Sequence, residues 1–198
     1  MDGRELDREA LARAIASPTQ TPIPSIPASA KVDDFERPDG RSNLDTLPVN
    51  GTDPGQDHSR MLFVRTLRQG KNHCLSVIGG MSQKDLPYAR VNIPLSRGAI
   101  EPVDARAFRG IRFETRGEGE YHLLVPTRGV PGTNFYQAPF TGSAAWKTVR
   151  IPFSALKQAT GKSVAPWTGS DLLMVGFEMA RRAGEMAWLQ IDNVQFYK

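Results

Sequence analysis

From Lys31 onward this chain alternates apolar and polar residues with a period of two, and glycine or proline interrupts the alternation at short intervals. A strand sends successive side chains to opposite faces, so a half-buried strand is the element this pattern demands. In "ARVNIPL", Val91, Ile93 and Leu95 share one face while Arg90, Asn92 and Pro94 share the other. Pro94 donates no ladder hydrogen bond, which argues against a central place for that strand. In "GIRFETR", Ile111, Phe113 and Thr115 oppose Arg112, Glu114 and Arg116; in "YHLLV", Tyr121, Leu123 and Val125 oppose His122 and Leu124.

The joint between these two runs is Gly117-Glu118-Gly119. A phosphate cradle would need a helix N-terminus after the glycines, and here strand periodicity follows, with Glu118 and Glu120 set to repel an anion. The spacing predicts a plain turn closing a hairpin. "WKTVRI" alternates Trp146, Thr148 and Arg150 against Lys147, Val149 and Ile151; Pro152 ends it, and Ser154 is placed to cap one helical turn through Gln158. "DLLMVGFEM" is almost continuously apolar, as at the centre of a sheet. "AWLQIDNVQFY" changes phase, so that Leu189 and Ile191 have one parity and Val194 and Phe196 the other, which predicts a bulge near Asp192 and Asn193. Many short strands with almost no helix predict an all-β fold, an antiparallel β-sandwich or jelly roll.

The first residues differ. "LDREALARAIA" places Leu6, Ala10, Leu11, Ala14 and Ile15 at helical spacing, with Asp7 as N-cap. Pro18, Pro22, Pro24 and Pro27 then favour an extended linker. The expected organisation is a short N-terminal helix within residues 1–16, a proline-rich linker over 17–31 and a sandwich over 32–198. With 198 residues and 39% hydrophobic content, one core is the expectation. No run reaches the ~18 to 20 apolar residues of a membrane span, and the charged N-terminus lacks the pattern of an export signal, leaving the compartment open. Cys74 is the single cysteine, so no internal disulfide forms. The 25 basic residues are dispersed around a net charge of +4, without the tract that follows a nucleic-acid backbone.

The order of "DDFER", "GGMS", "FRGIRFETRGEGEYHLLV", "YQAPF", "WKTVRIPFSAL" and "LQIDNVQFY" resembles the complex I intermediate-associated protein family over residues 32–198. That resemblance implies a galactose-binding-like sandwich, similar to several carbohydrate-binding modules, and a role in assembling NADH:ubiquinone oxidoreductase. Gly117-Glu118-Gly119 departs mildly from the family's glycine-aspartate-glycine. "MDGRELDREALARAI" resembles the C-terminal end of amidohydrolases of the imidazolonepropionase type, implying an accessory domain fused to a hydrolase. No His-x-His pair is present, and His58, His73 and His122 are scattered, so no hydrolase activity is expected of these residues.

The resemblance also implies a structural Ca²⁺ held by Asp34 and Glu36 near the first strand and Asp192 in the last; the alternative is that these acids are ordinary polar strand ends. For ligand binding, Trp146, Trp167, Trp188, Tyr88, Phe135 and Tyr136 supply flat apolar faces. Trp146 and Trp188 lie in alternating strands and are assigned to the core. Tyr136, Trp167 and Arg128 are the candidate binding residues. A catalytic Cys74–His73 pair is disfavoured because neighbours in a strand point to opposite faces. The expected function is non-catalytic recognition of a protein partner or fused domain, with glycan binding by a carbohydrate-binding module as the alternative.

Overall fold

The computed structural model describes residues 24–130, 132–158 and 165–198. The expected N-terminal helix and the first part of the linker lie outside them. In chain order the strands are β1 (Ile26–Pro27), β2 (Lys31–Asp33), β3 (Val49–Thr52), β4 (Arg60–Gln69), β5 (Asn72–Gly80), β6 (Tyr88–Pro94) and β7 (Val103–Asp104). They continue as β8 (Gly110–Gly117), β9 (Glu120–Val125), β10 (Tyr136–Thr141), β11 (Lys147–Pro152), β12 (Lys157–Gln158), β13 (Met174–Ala180) and β14 (Met186–Tyr197).

Two antiparallel sheets face each other as a jelly-roll sandwich. The first runs β12-β10-β9-β13-β6-β3; the second runs β11-β8-β14-β5-β4, with β2 added against β14. β1 pairs in parallel with β7, so the end of the segment read as linker is already part of the fold.

The alternation read in the sequence fills the space between the sheets. Val91 and Ile93 from β6, Phe177 from β13, and Tyr121, Leu123 and Val125 from β9 meet Ile111 and Phe113 from β8 and Leu189 and Ile191 from β14, all at most 1% exposed. Phe113 makes edge contacts with Phe140 and Phe177, both at 5.0 Å between ring centroids. Such aromatic pairs add about 0.5–1.5 kcal/mol to their area burial.

Three details of the sequence reading change. β8 and β9 do not form a hairpin: β8 pairs with β11 and β14, while β9 pairs with β10 and β13. The Glu118–Gly119 turn carries the chain from one sheet to the other, with Gly119 at φ 84°. Tyr121 fastens the crossing, because its hydroxyl accepts the Glu118 N–H at 2.9 Å and donates to the Trp188 carbonyl of the opposite sheet at 2.6 Å. β6 is an interior strand between β13 and β3, which Pro94 permits by standing at the strand's last position. The turn near Ser154 is a single 3-10 turn, Phe153–Ala155, before β12. The expected bulge is present: β14 shifts register against β8 between Asp192 and Gln195, and Asn193 takes φ 52°.

Candidate functional site

The outer face of the first sheet is where the polar half of the alternation collects. Register places Gly51, Arg90, Glu178, His122 and Pro139 in one row across β3, β6, β13, β9 and β10. The next row is Val49, Asn92, Gly176, Leu124 and Gln137. Leu124 is 1% exposed yet stands outside the sandwich core, so it floors the outer face.

Two glycines make room for this arrangement. A Cβ on Gly51 would lie 2.8 Å from Arg90 Nε, and one on Gly176 would lie 2.4 Å from Asn92 Oδ1. Because neither carries a side chain, the arginine and the carboxamide lie flat over the neighbouring strands. The Arg90 guanidinium is held between two rings, with Cζ 4.8 Å from the Tyr88 centroid and 4.9 Å from that of Phe135. Cation–π contact of this kind contributes about 0.5–2 kcal/mol and fixes the plane of the group.

Arg90 Nη1 approaches Glu178 Oε2 at 3.7 Å, longer than a hydrogen bond, with the two side chains 15% and 17% exposed. Burial pushes the Glu178 carboxyl above its ordinary value, and the charges of Arg90 and His122 oppose that shift. Among the described residues, the side chains of Arg90, Asn92, His122, Gln137 and Glu178 make no hydrogen bond to the protein. Polar groups half-withdrawn from water with unspent donors and acceptors are costly unless a ligand or solvent takes them up.

The residues singled out from sequence sit elsewhere. Tyr136 points into the sandwich, 5% exposed, and donates to the Ala165 carbonyl at 2.5 Å. Trp167 is half-buried against it, 5.0 Å from the Tyr136 ring and 4.9 Å from Phe153. Arg128 is exposed and tied by its backbone N–H to the Asp171 carbonyl at 3.0 Å. The aromatic pair therefore packs the end of the core, and the ring that reaches the outer face is Phe135, one residue earlier and of opposite parity. Trp146 and Trp188, assigned to the core, instead lie on the outer side of the second sheet, with Arg68 at 3.9 Å and Arg116 at 5.7 Å from their respective ring centroids.

The three acids expected around Ca²⁺ are not brought together. Asp34 accepts from Lys31 Nζ at 2.8 Å. Burial would raise its carboxyl, but the Lys31 bond and the Glu36 N–H hold it below its ordinary value. Glu36 accepts from the His73 backbone N–H at 2.6 Å and pairs with its Nδ1 at 3.0 Å. Asp192 is fully buried and bonded to Arg68 Nη1 at 2.6 Å and Asn72 Nδ2 at 3.0 Å. Among the described residues no group of three His, Cys, Asp or Glu side chains is placed to hold a metal. His73 and Cys74 likewise do not combine, since His73 turns to Glu36 and Cys74 is fully buried.

The fold is a β-sandwich similar to that of solved carbohydrate-binding modules. A family 11 carbohydrate-binding module from Clostridium thermocellum, in complex with a β-1,3-1,4-mixed-linked tetrasaccharide, matches with a TM-score of 0.62 and 16% identity, over 87% of this chain and 97% of that one. A family 30 module of a cellulosomal cellulase from the same organism matches with a TM-score of 0.52 and 11% identity, over 89% and 96%. The structure of an exo-β-agarase matches with a TM-score of 0.54 and 12% identity, over 85% of this chain and 25% of that one. At these identities the likeness is one of fold. No protein-family model and no curated protein matches the chain. Among the described residues no helix is long and apolar enough to cross a membrane.

Proposed function

We propose that this protein is a non-catalytic glycan-binding module and that the outer face of the first sheet is its binding surface. One observation carries the reading: Arg90, Asn92, His122, Gln137 and Glu178 present unspent hydrogen-bonding groups on one face, beside the rings of Tyr88 and Phe135. A sugar offers the matching chemistry, hydroxyls that donate and accept around its rim and an apolar C–H face that stacks on an aromatic ring. The solved structures of similar fold, among them one in complex with a tetrasaccharide, favour the same class of ligand.

The main reading expected from the sequence, a protein partner met by Tyr136, Trp167 and Arg128, has less support, since Tyr136 is buried. Complex I assembly and an amidohydrolase context rest on the sequence motifs alone. Calorimetric titration of the protein with soluble β-glucans, galactans and polyuronates tests the proposal. Saturable heat with at least one glycan is expected, weakened about tenfold by Tyr88→Ala, equivalent to about 1.4 kcal/mol. Silence across the panel, or a Tyr88→Ala protein that binds as tightly as the parent, would contradict it.

A further inference from the structure

The outer face does not end at Asn92. Beyond Pro94 on β6 and Val49 on β3 it opens into a depression of ≈ 460 Å³ lined also by Arg41, Asp45 and Arg97. Asp45 there takes the charge of three arginines: Arg37 Nη2 at 3.3 Å, Arg41 Nε at 3.7 Å, and Arg97 Nη2 in direct contact. Arg37 also pairs with Asp39 at 2.5 Å, so three cations share two carboxylates and the cluster keeps a positive excess. Arg97 remains 80% exposed despite its bond.

The middle of the face has the same bias. Arg90 packs against two rings and, among the described residues, makes no hydrogen bond; its one ion-pair neighbour among them, Glu178, is 3.7 Å away. Burial weakens the hold of that neighbour by favouring its protonated form. A guanidinium presents paired N–H groups in a plane, which suits a carboxylate or sulfate far better than a single hydroxyl. From Arg90 to Pro94 the strand runs about 13 Å at ~3.3 Å per residue, so the two cationic points lie along one line that more than one sugar ring of a polymer would cover.

We infer that the ligand of this face is an acidic glycan, a polysaccharide carrying carboxylate or sulfate groups, with Arg90 binding one anionic sugar and the Arg41–Arg97 end of the depression another. The inference rests on the glycan-binding reading and narrows its ligand class.

The test is calorimetric titration of the full chain, at low and at raised salt, with a polygalacturonate oligomer, a sulfated galactan oligomer, a neutral mixed-linked β-glucan and poly-L-glutamate, which carries carboxylates but no sugar ring. An acidic glycan is expected to bind at least tenfold more tightly than the neutral glucan and than poly-L-glutamate. The polygalacturonate and sulfated arms then identify the anion as carboxylate or sulfate. Arg90→Lys, which keeps the charge and loses the planar fork, is expected to weaken acidic-glycan binding about tenfold. Arg97→Gln should weaken it less and lower its salt dependence. Thermal unfolding of both variants at the parent temperature excludes misfolding as the cause. A neutral glucan that binds as tightly as the acidic ones would overturn this inference and leave the glycan-binding reading standing. Equal binding of poly-L-glutamate, or no effect of Arg90→Lys, would overturn it as unspecific charge attraction. No binding by any glycan would overturn both.

Discussion

Asp33 is a carboxylate that the sequence pattern did not mark, and it has a measurable consequence. It is 2% exposed on β2, and its Oδ1 accepts the Phe35 N–H at 2.9 Å. That bond holds Phe35 at φ 54°, a left-handed conformation rare for a bulky side chain. Burial pushes the Asp33 carboxyl up to about 7, the Phe35 N–H pulls it down, and the charges of Asp34 and Asp192 raise it further. In the unfolded chain an aspartate titrates near ~3.9. Between those values the folded state binds the proton more tightly, so this group's contribution is most favourable at low pH and is lost as pH rises to about 7. Asp33→Asn keeps the acceptor for Phe35 and removes the titration. Urea unfolding at pH 3.5 and pH 8 is expected to show the variant more stable than the parent at pH 8, by roughly 1–3 kcal/mol, and close to it at pH 3.5. Parallel pH dependence in the two proteins would contradict this.

At the scale of elements, the second sheet is tied by an ionic knot. Arg68 at the end of β4 reaches across β5 to Asp192 on β14 at 2.6 Å and to Glu114 on β8, and its guanidinium covers Trp146 at 3.9 Å. Arg68→Ala leaves Asp192, fully buried, without its cation and is expected to cost about 3–5 kcal/mol in chemical denaturation. Adding Asp192→Asn should recover part of the loss, and a double variant no more stable than Arg68→Ala would show that the pairing is not the cause. The same strands show what the sequence could and could not disclose. The period-two pattern named the inward residues of β6, β8 and β9 correctly, and the phase change in the last strand marked its bulge. It could not tell a hairpin from a crossing at Glu118–Gly119, because either connection buries Phe113 and Leu123 in the same core. The site was legible only as parity: His122, Glu178 and Asn92 are the outward residues of interior strands, but which strands adjoin is set by pairings between distant segments. Phe135, and not the candidate Tyr136, reaches the outer face, because one residue of register reverses which ring points to the surface.

At the scale of the whole molecule, the two outer faces differ in how their polar side chains are engaged. On the second sheet, Arg68 is bonded to Glu114 and Asp192 and covers Trp146, and Arg116 lies over Trp188. On the first, Arg90 packs against Tyr88 and Phe135, but among the described residues its side chain, like those of Asn92, His122, Gln137 and Glu178, makes no hydrogen bond to the protein. The proposed glycan recognition on the first sheet is tested by amide chemical-shift mapping of the isotopically labelled protein during titration with the glycan panel. Perturbations are expected to concentrate on β6, β9, β10 and β13, around Arg90, Asn92, His122, Gln137 and Glu178, with the amides of Trp146 and Trp188 unmoved. Perturbations centred on the outer side of the second sheet or on Arg128 and Trp167, or none with any glycan, would contradict it.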